Sequence, residues 1–117
     1  MKNCDSKLVK LKIQIGNSPL FGPGKVLLLE AINDTGSISA GAKKIGMSYR
    51  KAWRLTNELN KLSKNKIINT NTGGKGVGGA YLTNFGKNFL KIYKSMEKKA
   101  LLSLEEEKNK MEKLLLS

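Results

Sequence analysis

The chain has 117 residues, with 22 Lys and Arg against 9 Asp and Glu, no histidine and one cysteine, giving a formal net charge of +13. That length holds one domain with a small core and one long appendage, not two full domains. With no histidine and Cys4 alone, there is no disulfide framework, no thiolate cluster for zinc and little material for acid–base or nucleophilic catalysis. The acids cluster only at Glu105-Glu106-Glu107, which reads as a solvated helix face. The chain is therefore expected to be no enzyme and to need no metal or cofactor.

From Val9 to Ile15 apolar residues alternate with Lys10, Lys12 and Gln14, the period-2 pattern of a half-buried strand ended by Gly16-Asn17-Ser18-Pro19. After Phe21-Gly22-Pro23-Gly24, the run KVLLLEAINDTG predicts a first helix that is apolar over most of its surface and stopped at Asp34-Thr35-Gly36. Two short helical patterns then meet at Gly46-Met47-Ser48, with Ser39 placed to cap the first and Ser48 the second. Ile38, Ala42 and Ile45 form a narrow apolar stripe on one, and Ala52, Leu55, Thr56, Leu59 and Leu62 a buried face on the other. This is the pattern of a helix-turn-helix.

On the second helix Arg50, Arg54, Asn57 and Lys61 fall at i, i+4, i+7 and i+11, directly away from the apolar face. Arg50 and Arg54 are the only arginines among the 22 basic residues, and the guanidinium fork can bond guanine in two places at once. They are the expected base-reading residues; Ser48, Tyr49, Lys51 and Lys75 are expected on the phosphate backbone. Trp53 lies to the side of the buried face, where it either packs under the helix edge or lies along a DNA backbone, packing being the commoner fate of a lone tryptophan.

KIINTNT and AYLT are strand candidates on either side of the glycine-rich GGKGVGG, which predicts a hairpin whose tip carries Gly73, Gly74, Lys75, Gly76, Gly78 and Gly79. Following a recognition helix, it is the wing of a winged helix. Gly74, Gly76 and Gly79 satisfy G-x-G-x-x-G, but a strand follows them and no βαβ unit surrounds them, so dinucleotide binding is not supported. From Thr83, a plausible cap, one helical pattern runs to the end. Phe85, Phe89, Ile92, Tyr93, Met96, Ala100, Leu104, Met111 and Leu115 recur at spacings of mostly three, four and seven. Its distal half outruns the small domain, so Phe89, Tyr93, Met96, Ala100, Leu104 and Met111 are expected to form the seam of a homodimer.

Charge agrees with a polyanionic partner. Between Ser37 and Ala80 nine basic residues face the single acid Glu58, a net +8, whereas the last 21 residues are neutral overall. No apolar run approaches a membrane span and the N-terminus carries no secretory core, so a cytoplasmic location is expected.

The segments LLEAINDTGSISAGAKKIGMSYRKAWRLTNELN and NTGGKGVGGAYLTNFGKNFLKIY resemble the N-terminal DNA-binding domain of the ModE-type molybdate-responsive transcriptional regulators. That domain is itself akin to the DNA-binding part of the LysR-type regulators. The resemblance covers roughly Leu8 to Met96, and its signature falls on Ser48, Tyr49, Lys51, Ala52 and Trp53, with the glycine wing at Gly73 to Gly79. It implies a winged helix that dimerises through its long terminal helix and binds a palindromic operator with the Ser48 to Asn60 helix. The departures are Gly41 for a usual alanine, Thr56 for a usual aliphatic residue and Asn84 for a frequent proline. Glycine at 41 should weaken a short helix by about 1 kcal/mol.

The expected fold is mainly α with a small β component. Residues 1–83 form a winged helix-turn-helix DNA-binding domain and residues 84–117 a long helix for dimerisation. It is read as a stand-alone unit without the family's molybdate-binding region, a transcriptional regulator bound to double-stranded DNA and not to a membrane. Its signal would come from an effector or a separate sensor protein. The alternative is a sequence-tolerant architectural or RNA-binding protein.

Overall fold

A computed structural model of the chain describes residues 10–17, 20–71 and 79–117. Among these residues four helices and a hairpin follow in order: α1 (Pro23–Thr35), α2 (Ile38–Lys44), α3 (Tyr49–Asn60), β1 (Ile68–Asn71), β2 (Gly79–Leu82) and α4 (Asn84–Leu116). The chain is thus mainly helical with one two-stranded sheet, the order of a winged helix-turn-helix. Cys4, Val9, Gly73, Gly74, Lys75, Gly76 and Gly78 lie outside the described residues.

α1 opens on Pro23, whose fixed φ suits a first helical turn, and closes on Gly36 in the left-handed region, φ 82°, its N–H donating to the Ile32 carbonyl at 2.8 Å. Val26, Leu28, Leu29, Ala31 and Ile32 are buried, so α1 is the central helix of the core. Its C-terminal end also holds the sheet. Ala80 N–H donates to the Gly36 carbonyl at 2.8 Å, and Leu82 N–H to the Asn33 side-chain oxygen at 3.1 Å.

The cap of α2 is Ser37, not Ser39: its hydroxyl accepts from Ala40 N–H at 2.9 Å. Gly36 turns the chain out of α1 so abruptly that Ser37 is already the extended residue before the new helix, and Ser39 falls inside the first turn. α2 ends in a Schellman motif, with Met47 N–H on Ala42 O at 2.9 Å, Gly46 N–H on Lys43 O at 3.2 Å, and Gly46 at φ 72°. Gly41 is buried against α1. A Cβ there would stand 2.9 Å from Ile32 N, so this glycine, expected only as a weakness of the helix, lets the two backbones touch.

Ser48 caps α3 as expected, accepting from Lys51 N–H at 3.1 Å. Ala52, Leu55, Thr56 and Leu59 are buried and Leu62 half-buried beyond them. The hairpin pairs antiparallel in the register Ile68–Leu82, Asn69–Tyr81, Thr70–Ala80 and Asn71–Gly79. Ile68, Ala80 and Leu82 point into the core, while Asn69 Nδ2 donates to the Tyr81 hydroxyl at 3.1 Å on the open face. Thr83 caps α4 through Gly86 N–H at 2.9 Å and also donates to the Lys66 carbonyl at 2.6 Å. Gly86 presses its backbone onto the Ile67 carbonyl, where a Cβ would come within 2.2 Å.

The N-terminal segment differs from expectation. Leu11, Ile13 and Ile15 are half-buried and Lys12 and Gln14 exposed, so the alternation is real, but among the described residues only one bridge, Ile13 to Phe21, forms. The segment turns at Gly16, φ 56°, and its return strand is consumed at once by α1. Phe21 sits edge-on to Phe89 at 5.0 Å and Tyr93 at 5.1 Å, and the Tyr93 hydroxyl donates to the Leu11 carbonyl at 2.6 Å.

Tyr93 is only 3% exposed and Phe89 packs against the core, so these two residues, expected in a dimer seam, are engaged within the chain. The reason is that one apolar stripe serves two stretches of α4: its first turns rest on the domain through Gly86, Leu90 and Tyr93, and the same face then runs on past it. From Leu102 onward all side chains but Lys108 are exposed, including Leu104, Met111 and Leu115. At 1.5 Å per residue the helix is about 50 Å long, which accounts for the 62 Å long dimension of the molecule. Met96 is exposed, Ala100 half-buried.

Candidate nucleic-acid interface

α3 presents its polar face as a shallow groove lined by Tyr49, Arg50, Trp53, Arg54, Asn57, Glu58 and Lys61. The expected row of Arg50, Arg54, Asn57 and Lys61 is thus brought together on one surface, opposite the side chains that fix the helix to the core. Arg50, Arg54 and Lys61 are exposed and Asn57 half-buried. Arg54 Nη1 donates to Glu58 Oε2 at 3.0 Å, one turn on. Such an exposed pair is held by well under about 1 kcal/mol, so the guanidinium can be exchanged onto another acceptor at little cost.

Tyr49 is 52% exposed at the helix start, its expected outward place. Trp53 does not take the commoner of its two expected places, under the helix edge, for its indole is 44% exposed and lines the groove. Its offset of about 110° from the buried stripe carries it onto the polar face instead of under the helix edge. The surface therefore combines two guanidinium groups, an amide, an ammonium and two aromatic rings with the single carboxylate of Glu58. Those groups can bond base edges, neutralise phosphates and lie along a sugar–phosphate backbone.

Asn60, the last residue of α3, had no expected role and has a decisive one. Its side-chain oxygen accepts from Ile67 N–H at 2.8 Å and Ile68 N–H at 2.9 Å, and its Nδ2 donates to the Ile68 carbonyl at 2.8 Å. The end of α3 is thereby latched to the start of β1, the first strand of the wing. Nothing local in the sequence signals this, since the partners lie seven and eight residues on.

Lys51 is exposed on the other flank of α3, away from Trp53 and Asn60, beside Lys12 and Lys25. Gly79, the described member of the wing glycines, opens β2 opposite Asn71. Among the described residues no group of three His, Cys, Asp or Glu side chains could hold a metal ion, and no helix is long and apolar enough to cross a membrane.

No family model matches the chain. It is 39% identical over 112 residues to the transcriptional regulator ModE of Yersinia pestis, covering 92% of this chain and 41% of that protein. It is 45% identical over 87 residues to the DNA-binding transcriptional dual regulator ModE of Escherichia coli K12, covering 74% and 32%. The molybdenum-pterin-binding protein MopB of Rhodobacter capsulatus is 40% identical over 77 residues, covering 66% and 28%. The chain spans about two fifths or less of the length of these relatives. Through this shared stretch, which carries the helix-turn-helix and its groove, the chain belongs to the ModE-type family.

Proposed function

We propose that the chain binds double-stranded DNA with sequence specificity and regulates transcription, as a homodimer on an operator of two-fold symmetry. The observation that carries this reading is the row of Arg50, Arg54, Asn57 and Lys61 gathered along one groove on a helix capped at Ser48 and latched to the wing at Asn60. Two relatives are named as transcriptional regulators, one of them as DNA-binding, which supports the same reading. Lysines supply phosphate neutralisation and hence affinity, while Arg50 and Arg54 supply base readout. Residues 1–83 act as the DNA-binding unit and residues 84–117 as the dimerising helix.

Dimerisation is supported by the distal half of α4, where Leu104, Met111 and Leu115 are left exposed. A second copy covers them and sets half-sites about one helical turn, ~34 Å, apart. The reading places the protein in the cytoplasm and leaves its signal to an effector or a separate sensor protein.

Selection of bound duplexes from a random library at about 0.15 M salt tests it, because non-specific phosphate binding is already weakened there. A two-fold-symmetric motif is expected. Recovery of an unenriched pool would point instead to the sequence-tolerant architectural or RNA-binding role that a lysine-rich surface also allows.

A further inference from the structure

A second basic site lies beside the recognition face, and the row of arginines does not account for it. Lys51 lines a hollow of about 240 Å³ together with Lys12 from the N-terminal segment and Lys25 from the first turn of α1. The three ammoniums come from separate parts of the chain. Gly22, Pro23 and Met47 form much of the remaining wall, and no carboxylate lines it. Lys25 Nζ donates to the Leu20 carbonyl at 2.7 Å, which fixes that ammonium at the rim. Among the described residues none of the three lysines has an acidic partner. Like charges grouped around one hollow without a counter-charge disfavour one another, and an anion in their midst reverses the sign of the interaction.

The position of the hollow says which anion. A helix lying in the major groove, ~12 Å wide, has a sugar–phosphate backbone along each of its flanks. On α3 one flank carries Tyr49, Trp53 and Asn60, and the wing attached to it. The other carries Lys51 and the hollow. We propose that Lys12, Lys25 and Lys51 form a seat for a backbone phosphate of the strand on the side of the groove away from the wing. This rests on the DNA-binding reading above and adds Lys12 and Lys25 to its contacts. The seat clamps the recognition helix from its second side and fixes how deeply Arg50 and Arg54 enter the groove. It carries no sequence information of its own.

The test is the salt dependence of binding to a mixed-sequence duplex, measured by fluorescence anisotropy on the full chain. Lys12→Gln/Lys25→Gln is compared with Lys98→Gln/Lys99→Gln, which removes the same charge from an exposed part of α4. The first pair is expected to flatten the slope of log K against log salt by about 0.9 for each seat engaged, and the second to leave it unchanged. Lys12→Arg/Lys25→Arg should keep the wild-type slope. Because Lys25 also bonds Leu20, the single variant Lys12→Gln, at an exposed position, provides the same readout if the pair fails to fold. An unchanged slope for the hollow variants, or equal flattening by both pairs, would overturn the seat and leave DNA binding standing. Absence of any salt-dependent binding by the wild type would overturn both.

Discussion

Asn60 holds Ile68 by both its backbone groups, donating to its carbonyl at 2.8 Å and accepting from its N–H at 2.9 Å. One side chain thereby copies a strand partner, and the strand it copies for is the first of the wing. The position of the wing relative to the reading helix is fixed at this point. Asn60→Ala should strand the buried N–H groups of Ile67 and Ile68 and cost about 2–6 kcal/mol, at 1–3 kcal/mol per unsatisfied group. Urea denaturation checks it. A loss below about 0.5 kcal/mol would mean that the wing is positioned by its core side chains alone.

Thr56 lies in the middle of α3, 2% exposed, and its hydroxyl has no hydrogen-bond partner among the described residues. Thr56→Val replaces that hydroxyl with a methyl of similar size and should stabilise the protein by about 1 kcal/mol. A raised midpoint of thermal unfolding is the expected result. A lowered one would show that the hydroxyl is bonded in solution.

What could be read from sequence was whatever repeats within a helix or strand. The polar row on α3, its cap at Ser48, the hairpin on either side of the glycines and the cap of α4 at Thr83 all follow from local periodicity and short-range chemistry. Ser37 and Ser39 both precede the same apolar stripe, and only the left-handed turn at Gly36, a property of the end of α1, decides between them. The alternation at 10–15 foretold burial correctly but not pairing, because a strand needs a neighbour and this one finds a single residue. Tyr93 had the periodicity of a seam residue, and periodicity does not say whether the partner is Phe21 of the same chain or another molecule. The Asn60 latch, the contact of Gly86 on Ile67 and the grouping of Lys12 and Lys25 with Lys51 are long-range, and no local signal announces them.

Tyr93 gives a pH dependence. Burial, and secondly the neighbouring Glu97 carboxylate, push its phenol above the usual value of 10.0. The folded state therefore holds this proton more tightly than the unfolded chain. The stability it contributes is fully present below about pH 10 and is lost as the pH climbs through the folded value. Tyr93→Phe also removes the bond to the Leu11 carbonyl, so it should be less stable at neutral pH. The gap between wild type and variant should then narrow above pH 10. A constant gap in denaturation curves taken on both sides of that pH would contradict the assignment.

Arg54 and Glu58 make a two-part prediction for DNA binding. Arg54→Ala should relax sequence preference at one position, at a cost of roughly 1–3 kcal/mol on the selected operator. It also releases the Glu58 carboxylate, until then bonded at 3.0 Å, to repel phosphates on any sequence. The double variant Arg54→Ala/Glu58→Ala should therefore recover affinity for scrambled duplex without recovering preference for the operator. If the double variant regains both, Arg54 does not read a base.

The exposed stripe of Leu104, Met111 and Leu115 bears on assembly. Glu97 is still buried and Leu101 half-buried, so the part of α4 that the domain needs extends to about that turn. Truncation after Leu102 should leave the winged helix folded, with an unchanged urea midpoint at low concentration. It should also convert a species of twice the 12.9 kDa chain mass into a monomer by sedimentation. Operator affinity should fall steeply in consequence, because two linked half-sites bind at the effective concentration set by the dimer and a single one does not. If the truncated chain still sediments as a dimer, the contact lies on the near half of the helix, where Phe85, Ile92 and Met96 are also exposed. If the full chain is a monomer, the two-fold operator goes with it.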